Sequence, residues 1–576
     1  MHADLAKNYP KLAEVTGALE ELLKREYPSY FGPAATHPFF PLKRSKVIHD
    51  SLWGTNAFTW REMALIDSPI LQRLHNIHQT GLAYYVYPCA HHTRFEHSLG
   101  VCVMASRVFD ALQRQESERF LEIAAAVAPE KKKPHEAFAQ WRTELRLAAL
   151  FHDAGHSMHS HTSELEYSKI PLLQDAAKEL SRFVGVPKGA GEVISFCLSR
   201  TSCVRDLLRR AQTKLREPLE TDETIDLDNV SLLIVGRTKH PELQFLGDII
   251  SSDLDADKLD YLLRDAVAAG LPLRYDLERY LYTVRLAPTP LADDEGMLQE
   301  MYRAFGVERD RQDPDEDSPY PHYRGNILQL SRQAASTIEQ IIICKFMLFS
   351  YIYHHKKVRA AEGMLTRLIQ RRVARWRRGG KGDVFLIQQF LLMTDQSLES
   401  SLLNLPEPDI AEYKNRVATR LLPRVAFNFT PRTMCPEEGK LSNFLSQLQK
   451  PERIKSLSEA FEKALAQHLL SLRPDLGTTS KAALARAGVW FDAPKPPKFD
   501  KLERLFYGSE ESELAVTEVF PISSWIQAYI TYRYNIRVFA FSEYLNEVKQ
   551  SAIHACKVVL EIEDGLAGGA GGREAT

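Results

Sequence analysis

ELRLAALFHDAGHSMHSH, residues 144–161, is the stretch from which this chain is best read. Its left half carries apolar residues at i, i+3, i+4 and i+7, the pattern of an amphipathic helix. The same period recurs in DLDADKLDYLLRDAVAAGL (253–271), KVRAAEGMLTRLIQRRVARW (357–376) and SEAFEKALAQHLLSL (458–472). Alternating strand-like runs are few and short: YYVYP at 84–88, SLLIV at 231–235 and VFAF at 538–541. A mostly α chain with a few short strands is expected.

The right half of the opening stretch places His152, His156, His159 and His161 within ten positions, with Asp153 beside the first. In helical geometry His152 and His156 share a face, and Asp153 reaches the same point if the helix ends there, with Gly155 as terminator. A second histidine group, HHTRFEHSLGV, holds His91, His92 and His97. Imidazole nitrogen with carboxylate oxygen is the ligand set of Mn²⁺, Fe²⁺, Co²⁺, Ni²⁺ or Zn²⁺, with Mg²⁺ open as well. A third stretch, GDIISSDLDADKLDYLLRDAVAAGL, sets Asp257, Asp260, Tyr261, Arg264 and Asp265 along one helical stripe. This stripe reads either as a solvated acidic face with i,i+4 pairs such as Asp260–Arg264 or as a surface for a metal-bound phosphate ester.

Composition narrows the classes. The chain has 576 residues, with 73 Lys+Arg against 75 Asp+Glu and a net charge of -2. That balance gives no support to nucleic-acid binding through bulk charge. No run of about 18 apolar residues is evident, since IIICKFMLFSYIYHHKK from Ile341 is cut short by His and Lys. No membrane span is therefore expected. MHADLAKNYPKLAEV lacks the apolar core of a signal peptide, and the seven cysteines are scattered without a CxxC pair. Reduced thiols and a cytoplasmic setting follow. Breaks fall at APEKKKP (128–134), DPDEDSPYP (313–321), RRGGKGD (377–383) and APKPPKFD (493–500).

Taken in order, KVIHD (46–50), IDSPILQRLHNIHQTGLAYYVYPCAHHTRFEHSLGV (66–101), ALFHDAGHSMHSH, DLDADKLDYLLRD and YIYHHKKVRAAEGML (351–365) resemble the HD-domain phosphohydrolases. Within that family they are most similar to the deoxynucleoside triphosphate triphosphohydrolases. The resemblance covers roughly 46–365, which implies an HD-domain helical core there. It leaves 1–45 as an N-terminal extension, 366–565 as a helical C-terminal region and 566–576, LAGGAGGREAT, as a flexible tail.

The resemblance implies that His97, His152, Asp153 and Asp257 hold one divalent metal, with a further Mg²⁺ travelling with a triphosphate. It implies that Arg94, Lys258 and Tyr261 contact phosphates, and that Gln79, Asp265 and Tyr353 hold the deoxyribose and base. His156 and His161 match the histidines that line the scissile bond. The implied reaction converts a dNTP and water into deoxynucleoside and triphosphate. Some relatives supply a second catalytic histidine beyond His161; it is absent here, and Glu164 and Glu166 stand as substitutes for acid/base work. The family's nucleotide-activator site uses an Asp, a Gln and an Arg; Asp67 and Gln72 match, but His75 replaces the Arg. A homo-oligomer is expected by the same resemblance. The alternatives are an HD phosphohydrolase on another nucleotide or phosphodiester, and a non-catalytic nucleotide-sensing or nucleic-acid-binding HD module.

Overall fold

Helix-forming segments dominate because apolar stripes recur at helical spacing and their N-termini carry caps. The computed structural model describes residues 7–32, 45–127, 132–213, 225–290, 323–403, 408–429, 451–494, 506–509, 512–515, 521–533 and 535–560. The chain divides into two compact units. One comprises Met1–Cys344, Arg372–Glu399 and Phe499–Val519; the other comprises Lys345–Arg371, Ser400–Lys498 and Phe520–Thr576. These divisions fall elsewhere than at 45/46 and 365/366, and the tail 566–576 lies outside the described residues.

In the first unit, α1 (Pro10–Glu26) packs against helices over 171–184 and 190–200. A hairpin of β1 (Ser45–Asp50) and β2 (Gly54–Thr59), paired Ser45 to Thr59 and Asp50 to Gly54, leads into α2 (Trp60–Ile66). Thr59 and Glu62 cap α2 reciprocally, and Glu62 then holds Arg146 by a bidentate, buried ion pair. The long α3 (Arg94–Gln115) and α4 (Pro134–Phe151) lie together at the centre. Leu145, Leu147, Ala148, Ala149 and Leu150 are fully buried there. α5 (His161–Tyr167) packs against the helix over 190–200, α6 (Leu227–Ile234) against α4, and α7 (Ala256–Ala268) against α3. The antiparallel pair β3 (Val284–Pro290) and β4 (Tyr323–Leu330) heads a four-stranded sheet. α8 (Asp383–Leu392) and α9 (Asp395–Leu403), further along the chain, begin with residues of this unit.

The second unit is built on a three-stranded antiparallel sheet of 424–429, 536–540 and 490–492, the 536–540 strand in the middle. Helices over 451–472 and 545–560 pack on it, with Phe461, Leu465, Val538 and Ala552 among the buried core residues.

Three expectations change. SLLIV is not a strand: Asp226 accepts from the N–H groups of Asp228 and Asn229 and starts α6 over it. A short apolar run fits either structure, and the cap decides. Residues 83–85 form a 3₁₀ turn, whereas 536–540 is a strand as read. The segment Ala335–Tyr353, with mean hydropathy 1.3, is long and apolar enough to cross a membrane by length and composition. Lys345, Ile338, Ile341, Ile342 and Leu348 on it are buried, whereas Ile343, Met347 and Tyr351 are exposed.

Candidate metal and phosphate site

α4 ends at Phe151, earlier than the Gly155 stop expected from sequence. His152 closes it, its Nδ1–H donating to the Ala149 carbonyl at 2.6 Å. An imidazole that satisfies a C-terminal carbonyl ends the helix and fixes its tautomer, leaving Nε2 as a lone-pair donor. The histidines after 152 therefore share no helix face; they converge through a turn. Gly155 is needed for that turn, because a Cβ there would run into the Gly191 carbonyl and the Ser195 amide.

His97 sits in the first turns of α3, whose start is stabilised by Glu96 accepting from the Thr93 N–H at 2.7 Å. Its Nδ1–H donates to Asp260 Oδ2 at 2.8 Å, which again leaves Nε2 facing the other ligands. Asp255 caps α7, accepting from the Lys258 N–H at 2.8 Å, and so sets Asp257 in the first turn. Potential ligand atoms of His97, His152 and Asp153 all lie within 4.8 Å of one another. Asp257 Oδ1 stands 3.0 Å from His97 Nε2 and 3.9 Å from His152 Nε2. Donors bound at about 2.1 Å to one ion stand about 3 Å apart at right angles, so these separations suit a shared cation. Both Nε2 atoms are buried and take part in no hydrogen bond. Buried polar atoms normally find a partner, and two orphaned imidazole nitrogens aimed at two carboxylates fit a metal ion.

The electrostatics agree. Burial alone would lower the His97 pKa, but Asp257, Asp260 and Asp153 bring it up to about 10. Burial would raise Asp257, yet His97, His152 and Lys258 hold its carboxyl at about 2. Asp153 likewise lies well below the usual carboxylate range, with Arg94 the foremost of the groups that overcome its burial. An excess of carboxylate around two imidazoles is the environment a divalent cation neutralises.

The remaining predicted residues fall into three groups. Arg94, Lys258, His156, Glu164 and His161 border the cluster. Arg94 pairs with Asp153 through Nη1, and its Nε donates to Ser160 Oγ at 2.9 Å. Lys258 Nζ donates to the Ser252 carbonyl at 2.7 Å and to Asp255 at 2.9 Å; although burial opposes it, Asp255 and Asp257 raise its pKa to about 12. His156 Nε2 lies 3.2 Å from Asp153 and its Nδ1 2.8 Å from Glu164. Glu164 also takes His161 Nδ1 at 2.8 Å, and the His161 side chain is 79% exposed. His156 rises to about 9 in spite of burial, through Glu164 and Asp153. Glu166 instead pairs with Lys169 at 2.6 Å.

Gln79 and Asp265 are linked through His92. The His92 carbonyl accepts from the Gln79 N–H at 3.0 Å, and its Nε2 lies 2.8 Å from Asp265 Oδ1. Gln79 Oε1 is buried without a hydrogen-bond partner. Tyr261 is half-buried, its phenol pKa raised by burial and then by Asp257 and Asp255. Tyr353 belongs to the second unit, in a π turn over 349–353, edge-on to Phe349 at 5.2 Å.

Two of the three activator candidates have structural partners. Gln72 Nε2 donates to the Ile66 carbonyl at 2.9 Å, and the His75 ring stacks on Phe95 at 3.6 Å. Asp67 is exposed at the end of α2.

Sequence reasoning missed the support beneath the cluster. Asp260 is fully buried and holds His97, Arg264 and the Trp53 indole together. Arg264 also reaches Asp50 at 2.9 Å, so the β1–β2 hairpin, which carries KVIHD, is tied to the metal-facing helix. Gly100 lets α3 and α7 approach, since a Cβ there would overlap Asp260 and Arg264.

Comparison with known proteins gives a consistent answer. No family model matches. The chain is 29% identical over 253 residues to the deoxynucleoside triphosphate triphosphohydrolase SAMHD1 of Bos taurus, covering 42% of this chain and 38% of that protein. It is 28% identical over 241 residues to a putative HD domain-containing protein of Acanthamoeba polyphaga mimivirus, covering 41% and 46%. The crystal structure of a phosphohydrolase from Bacteroides thetaiotaomicron superposes with a TM-score of 0.53 at 18% identity, over 86% of this chain and all of that one. The chain has an HD phosphohydrolase fold. Its matches span about half the length, or less, of the first curated relatives.

Proposed function

We propose that this HD protein is a metal-dependent phosphohydrolase that splits a deoxynucleoside triphosphate into deoxynucleoside and inorganic triphosphate. The observation that carries the proposal is the pair of buried, orphaned Nε2 atoms of His97 and His152, facing Asp153 and Asp257 beside Arg94, Lys258 and His156. A divalent cation held by those four residues would act as a Lewis acid on a phosphate oxygen. Lys258 and Arg94 add positive charge for a substrate carrying close to four negative charges, and so stabilise the charge that shifts onto phosphate and leaving oxygens in the transition state. Water adds to the α-phosphorus and releases a proton to solvent, the bond to the 5′-oxygen breaks, and that oxygen takes a proton as it leaves. His156, held between Asp153 and Glu164, is the residue placed to supply it, with His161 beside it on the solvent side.

Asp265 and Gln79, joined through His92, are the groups we assign to the sugar and base. A nucleotide activator at Asp67, Gln72 and His75 belongs to the same proposal. A cytoplasmic location, where the six described, unpaired cysteines stay reduced, and a homo-oligomeric assembly belong to the same proposal.

A metal-dependent activity screen over the four dNTPs and four rNTPs, singly and in pairs, tests it. Turnover of dNTPs that disappears, with the bound metal, in a His152→Ala/Asp153→Ala variant is the expected result. Hydrolysis of another phosphodiester alone would favour the broader HD reading, and stoichiometric metal with activity in the double variant would remove the site assignment.

A further inference from the structure

A buried carboxylate far along the chain grips the turn that carries the active-site histidines. Asp395, at the start of α9 and 3% exposed, receives three hydrogen bonds. Its Oδ1 accepts from the His159 N–H at 2.6 Å. Its Oδ2 accepts from the His78 N–H at 3.0 Å and lies 2.6 Å from His78 Nδ1. Two residues upstream, Ser157 Oγ donates to the Phe390 carbonyl, so 390–395 holds the 157–159 segment at two points, one through a side chain and one through the backbone.

That turn does not hold itself. His159 and Ser160 both have positive φ, 49° and 52°, consecutive non-glycine residues in the left-handed region. Such a conformation persists only where the surroundings over-determine it. The His159 ring is buried and neither of its nitrogens makes a hydrogen bond; its Nδ1 lies 3.8 Å from Asp395 Oδ2, so the ring too faces the clamp. The strained pair has consequences at both ends. Ser160 Oγ donates to the His78 carbonyl at 2.7 Å and accepts from Arg94 Nε at 2.9 Å, while Arg94 pairs with Asp153. The next residue, His161, opens α5, from which Glu164 reaches back to His156.

We infer that Asp395 is a positioning residue for catalysis: it clamps the left-handed His159–Ser160 turn, and through Ser160 it orients Arg94 against Asp153 and sets His161 at the mouth of the site. A carboxylate is required because every partner is a donor; an amide would turn an NH₂ toward one of them. The inference rests on the hydrolase reading for its kinetic consequence, and on geometry alone for the clamp.

The test compares full-length wild type with Asp395→Asn, Ser160→Ala and the double variant, using metal content, steady-state kinetics on dNTPs and peptide-level hydrogen exchange. Asp395→Asn should keep its metal and, by analogy with the loss of other outer-shell partners, drop kcat about 10- to 100-fold while KM changes little. Exchange should rise in peptides covering 76–80 and 157–162 and nowhere else. Ser160→Ala should show the same kcat signature, and the double variant should lose far less than the product of the two, since both act through one path. A kcat that matches wild type in Asp395→Asn, independent losses in the double variant, or an exchange increase spread over the whole chain would each overturn the inference. If wild type turns over no nucleotide, the functional reading fails, while localised exchange still decides whether the clamp exists.

Discussion

Replacing Gly100 with alanine probes how the metal-facing helices are held together. Gly100 lies one turn after His97 on α3, facing α7, and an added Cβ would overlap Asp260 Oδ1 and Arg264 Nη2 and sit 2.6 Å from Asp260 Cγ. These groups have little room to give, because Asp260 is fully buried and bonded to the side chains of His97, Arg264 and Trp53. Alanine gains about 1 kcal/mol over glycine in helix propensity, overpacking costs about 1–3 kcal/mol, and one broken bond to a charged group costs about 1.5–3 kcal/mol. The net is a destabilisation of about 2–5 kcal/mol, about 2–6 °C in Tm for a unit of this size. If Asp260 moves, His97 also loses the bond that fixes its tautomer, and metal affinity should fall about 10- to 100-fold. Thermal unfolding and metal titration of Gly100→Ala read both effects. A variant with wild-type Tm and wild-type metal affinity would refute the idea that Asp260 supports His97 through this close contact.

Other consequences are as specific. Lys258→Ala should lose about 2 kcal/mol or more of transition-state stabilisation, roughly 30-fold in kcat/KM, and near-normal kcat/KM would make Lys258 a structural partner of Asp255. Asp265→Ala should impair 2′-deoxy substrates and barely change 2′,3′-dideoxy ones; an equal loss on both, in parallel kcat/KM measurements, would leave Asp265 as no more than the partner of His92. Burial pushes the Glu144 carboxyl from 4.5 up to about 7. The folded state therefore holds this proton more tightly than the unfolded chain, and the stability it contributes is lost as pH rises across that window. The Tm difference between Glu144→Gln and wild type should move in the variant's favour between about pH 4.5 and 7 and then level off, whereas a constant difference would show that Glu144 titrates normally.

The candidate ligands were legible because their chemistry is dense in the sequence. His152, Asp153 and His156 stand together, and His97 and Asp257 carry recognisable neighbours. What lies beneath them was not legible. Asp260 reads as one more acid on an exposed-looking stripe, and only the approach of α3 shows that it is buried under His97. Gly100 has an ordinary helical φ, so nothing local distinguishes it from any small residue; its role is set by α7, far along the chain. Asp395 resembles a simple helix-starting aspartate, yet its acceptors are occupied by His78 and His159. The end of α4 was placed too late because glycine is the usual terminator, whereas here the His152 side chain takes the carbonyl first. SLLIV failed for the reason short apolar runs often do: periodicity over so few residues does not separate strand from buried helix, and Asp226 supplied the deciding cap.

The most direct measurement is the identity of the products. Purified full-length protein, loaded with Mn²⁺ or Mg²⁺, is incubated with each dNTP, and the phosphate products are separated by ion exchange. Inorganic triphosphate and deoxynucleoside in equal amounts are the expected result, abolished in His152→Ala/Asp153→Ala. Diphosphate or monophosphate as the released phosphate would contradict attack at the α-phosphorus and, with it, the assignment of this site.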